Sequence, residues 1–259
     1  MTTSGTPDTT PRATPSATSS ATPSATRTLI TGGNAGIGKE TARRLAAAGH
    51  TVYIGARDEG RGRAAAEELG VRFVRLDVTD DSSVAAALAR IDADGGLDVL
   101  INNAGIACWD AAGVEALDGP SVLRVFDTNA VGVIRVTEAA LPLLRRSANP
   151  VVVNVSSALG SFWATHEPSR PAAHFRSIAY GSSKAAVSMI TVQYAKAIPE
   201  VKFNAVEPGI TATSLGGGEL ADHPGRPAAQ SAAIVAELAC IGPDGPTGTF
   251  VEDDGVLAW

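Results

Sequence analysis

Thr28-Leu29-Ile30-Thr31-Gly32-Gly33-Asn34-Ala35-Gly36-Ile37-Gly38 is a short apolar strand that runs into a glycine cluster, and a helical pattern follows it. Glycine at such a junction permits positive φ and lets the backbone come close to a ligand. The helix beyond it offers free N–H groups and partial positive charge, which suit a pyrophosphate. A glycine run alone reads equally well as a flexible turn. Its place between the first strand and the first helix of a βαβ unit points to dinucleotide binding. The spacing, Gly32-x-x-x-Gly36-x-Gly38, differs from the commoner G-x-G-x-x-G.

Outward from this loop the alternation continues. Helical patterns cover 39–49, 59–69, 82–91, 121–146, 180–198 and 228–240; apolar strands cover 51–56, 71–76, 97–101, 151–155, 201–206 and 249–251. Alternation of this kind implies the α/β class, with one parallel sheet, helices on both faces and right-handed crossovers. Continuous apolar strands fit a sheet buried on both sides. Ligands of such sheets bind beyond the carboxyl ends of the strands, so the chemistry is expected just after them.

The bulk numbers narrow the partners. The chain has 259 residues and 44% hydrophobic residues, enough for one large α/β core. Its 27 acidic and 21 basic residues give a net charge of −6, with no basic block, so neither nucleic acid nor an anionic membrane is an expected partner. Cys108 and Cys240 are far apart and match neither a disulfide framework nor a metal site, which fits a reducing cytoplasm. No apolar run approaches the ~20 residues of a membrane span. Residues 1–26 are almost all Thr, Ser, Pro and Ala, with Asp8 and Arg12 as the only charges. They read as a disordered tail, which leaves 27–259 as a single nucleotide-binding domain.

Two further places carry chemistry. Tyr180 and Lys184 lie four residues apart at the start of a helical stretch, so both side chains leave the same face. A neighbouring ammonium lowers a phenol from its ordinary value near ~10 and makes it a candidate general acid or base. The second strand ends at Arg57, where a carboxylate would meet a free ribose 2′-hydroxyl. A guanidinium there suits a 2′-phosphate and favours NADP(H) over NAD(H), although Asp58 follows it.

Together with Asn102-Asn103-Ala104-Gly105, Asn154-Val155-Ser156-Ser157 and Pro208-Gly209-Ile210-Thr211-Ala212-Thr213, each after a strand, these runs resemble the short-chain dehydrogenase/reductase family in its compact form. Residues 242–250 look like a narrower, carbonyl-reductase-like bacterial branch. The resemblance implies a Rossmann-type doubly wound sheet and an oxidoreductase that moves a hydride between a nicotinamide and a small carbonyl or alcohol substrate. It implies Tyr180 as general acid or base, Lys184 on the nicotinamide ribose and lowering the tyrosine, Ser157 on the substrate oxygen, and Asn129 holding a water linked to Lys184. It places Gly32, Asn34, Gly36, Ile37 and Gly38 at the phosphates and Asp77 with Val78 at the adenine. Asn103, Ala104 and Gly105 fall beside the adenine ribose, and Pro208, Gly209, Ile210 and Thr213 near the carboxamide.

Ser157, Cys108, Trp109 and Trp163 are the expected substrate contacts. Ser156 or Ser157 could also simply cap a turn. Residues 162–176 are longer than in compact relatives and read either as a pocket wall or as a surface insertion. His166 and His174 lack a third ligand, so no metal is expected. Gly216-Gly217-Gly218 reads as a flap or a loop. A homo-oligomer is left open. The alternatives are an NAD-dependent alcohol dehydrogenase of the same family and a non-catalytic NADPH sensor.

Overall fold

The computed structural model describes residues 1, 25–108, 115, 117–213, 215 and 225–259. The expected tail falls mostly outside the described residues, and so do Trp109 and residues 216–218. Strand β1 (Arg27–Thr31) pairs in parallel with β2 (Thr51–Ala56), and β2 with β3 (Arg72–Arg75). On its other side β1 pairs with β4 (Val99–Asn102), and the sheet continues through β5 (Val151–Val155), β6 (Lys202–Val206) and β7 (Phe250–Glu252), all parallel. A short β8 (Gly255–Val256), not expected from the sequence, turns back antiparallel on β7. The order is β3-β2-β1-β4-β5-β6-β7-β8. It reverses direction between β1 and β4, and a crevice opens beyond the carboxyl ends at such a switch point.

Adjacent residues on each strand point to opposite faces, which produces two cores. Leu29, Tyr53, Leu100 and Val152 face one side and pack with α3 (Asp81–Ala93) and α5 (Gly132–Leu144) through Leu88, Ile91, Val136 and Leu144. Ile30, Ile54, Ile101 and Val153 face the other and pack with α1 (Gly36–Ala47), α2 (Glu59–Leu69) and α8 (Ala228–Ala239) through Ala42, Leu45, Ala65 and Val235. The doubly wound α/β reading therefore holds.

The helix expected over 121–146 is not uniform. It consists of α4 (Gly119–Phe126), a π-helical turn (Asp127–Val131) and α5. A π turn fits an extra residue into the helix, and here it carries Asn129, whose amide is bound on both sides by other elements. Residues 162–176 contain α6 (Phe162–His166) and a 3-10 turn (Pro171–His174). They are fastened to the end of the chain: Ala164 and Ala172 pack with Phe250 and Leu257, and the Ser161 hydroxyl donates to the Ala258 carbonyl at 2.6 Å. The remaining helix, α7 (Ala179–Ala197), lies against β6 and the turn that follows β5.

A buried polar ladder aligns the strands that end at the site. Asn102 and Asn154 are direct partners across β4 and β5. The Asn102 amide donates to Thr137 at 3.1 Å and to Asn154 at 2.9 Å, and the Asn154 amide donates to Thr191 at 2.9 Å. Fully satisfied, such a network is rigid; half-satisfied, it is expensive. Asn154→Ala is expected to cost about 2–4 kcal/mol, because it strands buried groups on Asn102 and Thr191. Urea denaturation reads this, and a loss below about 0.5 kcal/mol would contradict the ladder's role.

Candidate active site

The loop between β1 and α1 is locked to the loop after β4. The Asn103 amide donates to the carbonyls of Thr31 at 2.9 Å and Gly32 at 3.2 Å, and the Thr31 hydroxyl accepts from the N–H groups of Asn103 and Ala104, both at 3.0 Å. A Cβ at Gly38 would lie 2.4 Å from the Asn103 amide nitrogen, so this closeness requires glycine. Gly36 has φ +53°, and a Cβ there would lie 3.2 Å from the Thr213 methyl, which brings the loop after β6 over the same place. Asn34 stands partly exposed in the loop, and Ile37 packs on the second core. The N-cap of α1 is Ala35, without a side-chain cap, and the first turn holds no acidic residue. The helix therefore leaves its first N–H groups to an outside anion. These features fit a pyrophosphate.

At the end of β2, Asp58 is already committed. It caps α2 through the Arg61 N–H at 2.9 Å and binds the Arg61 guanidinium at 3.0 Å. Arg57 beside it is exposed. Burial pushes the Asp77 carboxyl up, but the Thr79 N–H and hydroxyl and the nearby Arg57 charge outweigh it and leave the carboxyl below its usual range. Val78 is buried against Gly132, and its carbonyl accepts from Arg135.

Beyond β5 the two serines separate. The Ser156 hydroxyl is buried between the Lys184 carbonyl at 3.2 Å and the Ser188 hydroxyl at 3.1 Å, where it ties the strand to α7. Ser157 opens the 3-10 turn (Ala158–Gly160); its hydroxyl accepts from the Leu159 N–H at 3.3 Å and lies near enough to the Tyr180 phenol to favour its ionised form. Ser157 is thus the serine that meets Tyr180. Lys184 is 4% exposed; its ammonium donates to the Val155 carbonyl at 2.8 Å and lies 5.5 Å from the centroid of the Tyr180 ring. The Asn129 amide accepts from the Ile106 N–H at 2.8 Å and donates to the Ile106 carbonyl at 2.9 Å and the Ser183 hydroxyl at 3.0 Å. Its side chain thus pins the loop after β4 to α7. A Cβ on Gly105 would meet both Asn129 and Lys184, at 3.5 and 3.6 Å.

The expected lowering of the tyrosine is not what the chain by itself provides. Burial pushes the Tyr180 phenol up, the Glu207 carboxylate adds to this, and the Ser157 hydroxyl only partly opposes it. Burial pushes the Lys184 ammonium down to about 8, with Glu207 holding it up against that. Desolvation disfavours the charged form of each group, and one ammonium short of water does not overcome it.

Other expected contacts fall elsewhere. Cys108 is 5% exposed in an apolar cluster with Val125 and Ala179, so it forms packing rather than an open pocket wall. The Trp163 ring, on α6, carries the Arg170 guanidinium 5.3 Å above it, and the Trp163 N–H donates to the Trp259 carbonyl. Pro208 is buried and its carbonyl accepts from Arg226; Gly209 has φ +77°; Ile210 is 61% exposed.

Two carboxylates were missed. Glu207 directly follows β6 and is bonded to the N–H groups of Ala158 and Gly209. A charged residue closing an apolar strand was its only signal. Glu115 holds the start of α7, accepting from the Ser177 hydroxyl at 2.6 Å, from the N–H groups of Ala179 at 3.1 Å and Tyr180 at 3.0 Å, and from that of Ile178. It lies 62 or more residues away in sequence from these partners, where no local pattern reveals it.

The family described as short chain dehydrogenase matches residues 26–223. A short-chain dehydrogenase/reductase of Stachybotrys chlorohalonatus is 34% identical, over 88% of this chain and 88% of its own. The solved structure of salutaridine reductase from Papaver somniferum superposes with a TM-score of 0.74 at 27% identity, over 88% of this chain and 99% of that one. An alcohol dehydrogenase of Thermococcus sibiricus, solved in complex with 5-hydroxy-NADP, gives 0.71 at 25% identity, over 88% and 96%.

Glu115→Ala is expected to lower stability by about 1–2 kcal/mol, the range for losing a helix cap. Burial raises the Glu115 carboxyl, but its donors outweigh this and hold it below the usual range. Its contribution is therefore full above the unfolded carboxyl's value of about 4.3 and fades as pH falls through the folded one. Urea melts of both proteins at pH 7 and at acid pH check this; a pH-independent difference would contradict it.

Proposed function

The chain belongs to the short-chain dehydrogenase/reductase family, and we propose that it is an NADP(H)-dependent carbonyl reductase in which Tyr180 exchanges a proton with the substrate oxygen. The observation that carries this reading is the Ser157 hydroxyl standing beside the Tyr180 phenol and the buried Lys184 ammonium.

The cofactor's pyrophosphate would be held by the backbone from Gly32 to Gly38 and its 2′-phosphate by Arg57. Its adenine side falls to Asp77, Val78 and the run Asn103 to Gly105, and its nicotinamide end to Tyr180, Lys184 and the loop from Pro208 to Thr213. Bound NADP(H) would supply or accept the hydride and, when oxidised, bring positive charge beside the phenol. A carbonyl oxygen placed at the paired hydroxyls of Ser157 and Tyr180 receives two hydrogen bonds, which stabilise the negative charge that builds on it. The Tyr180 hydroxyl then gives its proton to that oxygen, and the Lys184 ammonium favours the phenolate left behind. In the opposite direction the phenolate removes the alcohol's proton. NADP(H) rather than NAD(H) is supported by Arg57 standing exposed at the end of β2 while Asp58 is occupied by Arg61.

Tyr180→Phe is expected to lower turnover of carbonyl substrates about 10²–10⁴-fold while NADPH still binds; normal turnover would overturn the mechanism. Arg57→Ala is expected to weaken NADPH binding about tenfold or more, the scale of a lost charge-assisted contact, with little change for NADH. Fluorescence titration with both cofactors reads the difference, and equal losses would contradict the assignment.

A further inference from the structure

Glu207 takes no part in the proton transfer just described, yet its carboxylate bonds the turn that follows Ser157 and the loop after β6. One carboxylate oxygen accepts from the Gly209 N–H at 2.9 Å and the other from the Ala158 N–H. Ala158 is the residue after Ser157, and Gly209 starts the loop that reaches Thr213. The Glu207 N–H is itself bound to the Val251 carbonyl at 2.8 Å. The preceding Val206 pairs with Val155, whose carbonyl receives the Lys184 ammonium at 2.8 Å. The carboxylate thus joins the Ser157 turn to the loop after β6, and the strand that carries it pairs with the one whose end receives the ammonium.

We propose that Glu207 is a positioning residue of this site: its ionised carboxylate bolts the Ser157 turn to the Gly209 loop and supplies the negative charge that keeps Lys184 an ammonium. Its meaning for catalysis rests on the carbonyl-reductase reading; the coupling itself is a property of the folded chain. Burial pushes the Glu207 carboxyl up, while the two N–H groups and Lys184 act against that. The other charged groups around it are Glu252 on β7, which opposes its ionisation, and Arg170, which pairs with Glu252. Arg226 lies against Gly209, donates to the Pro208 carbonyl and pairs with Asp253. Tyr180 on α7 feels the same carboxylate. Both arginines pair with other carboxylates, although Glu207 also acts on Arg170; Lys184 pairs with no other carboxylate among the described residues. Loss of the negative charge would let Lys184 shed its proton more readily, and with the ammonium would go its support for the phenolate.

The test is ¹³C NMR titration of the full chain, labelled at lysine Cε and glutamate Cδ. Lys39, Lys184, Lys196 and Lys202 are the only lysines, and Lys184→Met assigns the resonance of interest. In the unaltered protein Lys184 is expected to titrate at about 8. Glu207→Gln is expected to move that midpoint down by about one pH unit, a tenfold loss of proton affinity, and Glu207→Asp, which keeps the charge, to move it less. Coupling is reciprocal, so Lys184→Met must raise the Glu207 midpoint by the same amount, a measurement that does not require Glu207→Gln to fold. A Lys184 midpoint unmoved in Glu207→Gln, or a Glu207 midpoint unmoved in Lys184→Met, overturns the proposal. Neither readout uses turnover, so a chain without carbonyl activity would sink the reductase reading while the coupling is judged separately.

Discussion

An ammonium held almost entirely out of water is the constraint on which the surroundings of Tyr180 depend. Lys184 reaches from α7 to the carbonyl that closes β5. A buried charge without good partners costs several kcal/mol, so its surroundings must be arranged to tolerate it. The arrangement consists of one strand-end carbonyl, the face of the Tyr180 ring and the nearby Glu207 carboxylate. Each lies on a different element, so α7, β5 and β6 must keep their mutual places for the charge to be tolerated. The Asn102–Asn154 ladder, the Ser156 bridge and the Glu115 cap all hold those elements. What looks like structural detail around the site is what fixes its electrostatics.

The sheet explains why the parts meet. Strand order reverses between β1 and β4, so the loops that leave these two strands are pushed apart by their helices and leave a crevice. Asn103 then sews the loop after β4 to the glycine loop, and Asn129, placed by a π turn, sews it to α7. The glycine loop and the Tyr180–Lys184 pair are thereby joined through one stretch, residues 102–106. A shift at either end would be felt at the other through packed backbone.

The sequence made the architecture legible because it is written in short periods. Leu29 and Ile30, or Val152 and Val153, are neighbours that serve opposite cores, and a continuous apolar strand is the mark of that. The glycine loop, Asn103 and Ser157 were legible as runs at strand ends, and Tyr180 and Lys184 as a pair one helical turn apart. Glu115 and Glu207 were not, because the partners of Glu115 and the Ala158 partner of Glu207 lie 49 or more positions away and charge alone does not announce a buried role. Glu207 meets the turn after β5 only because β5 and β6 pair. The direction in which Tyr180 is shifted was also out of reach: residue spacing shows that an ammonium is near, while burial, which wins, depends on the whole surrounding fold. Residues 162–176 were ambiguous for the same reason, since their anchor is the distant chain end around Phe250 and Leu257.

The central claim is that the paired hydroxyls beside Lys184 serve hydride transfer to a carbonyl. Incubation of the unaltered protein with NADPH deuterated at the transferable C4 position and a panel of ketones and aldehydes, followed by mass spectrometry of the products, tests it most directly. The account predicts alcohols carrying one deuterium on the former carbonyl carbon. NADPH bound tightly, with no labelled alcohol formed from any member of the panel, would contradict it.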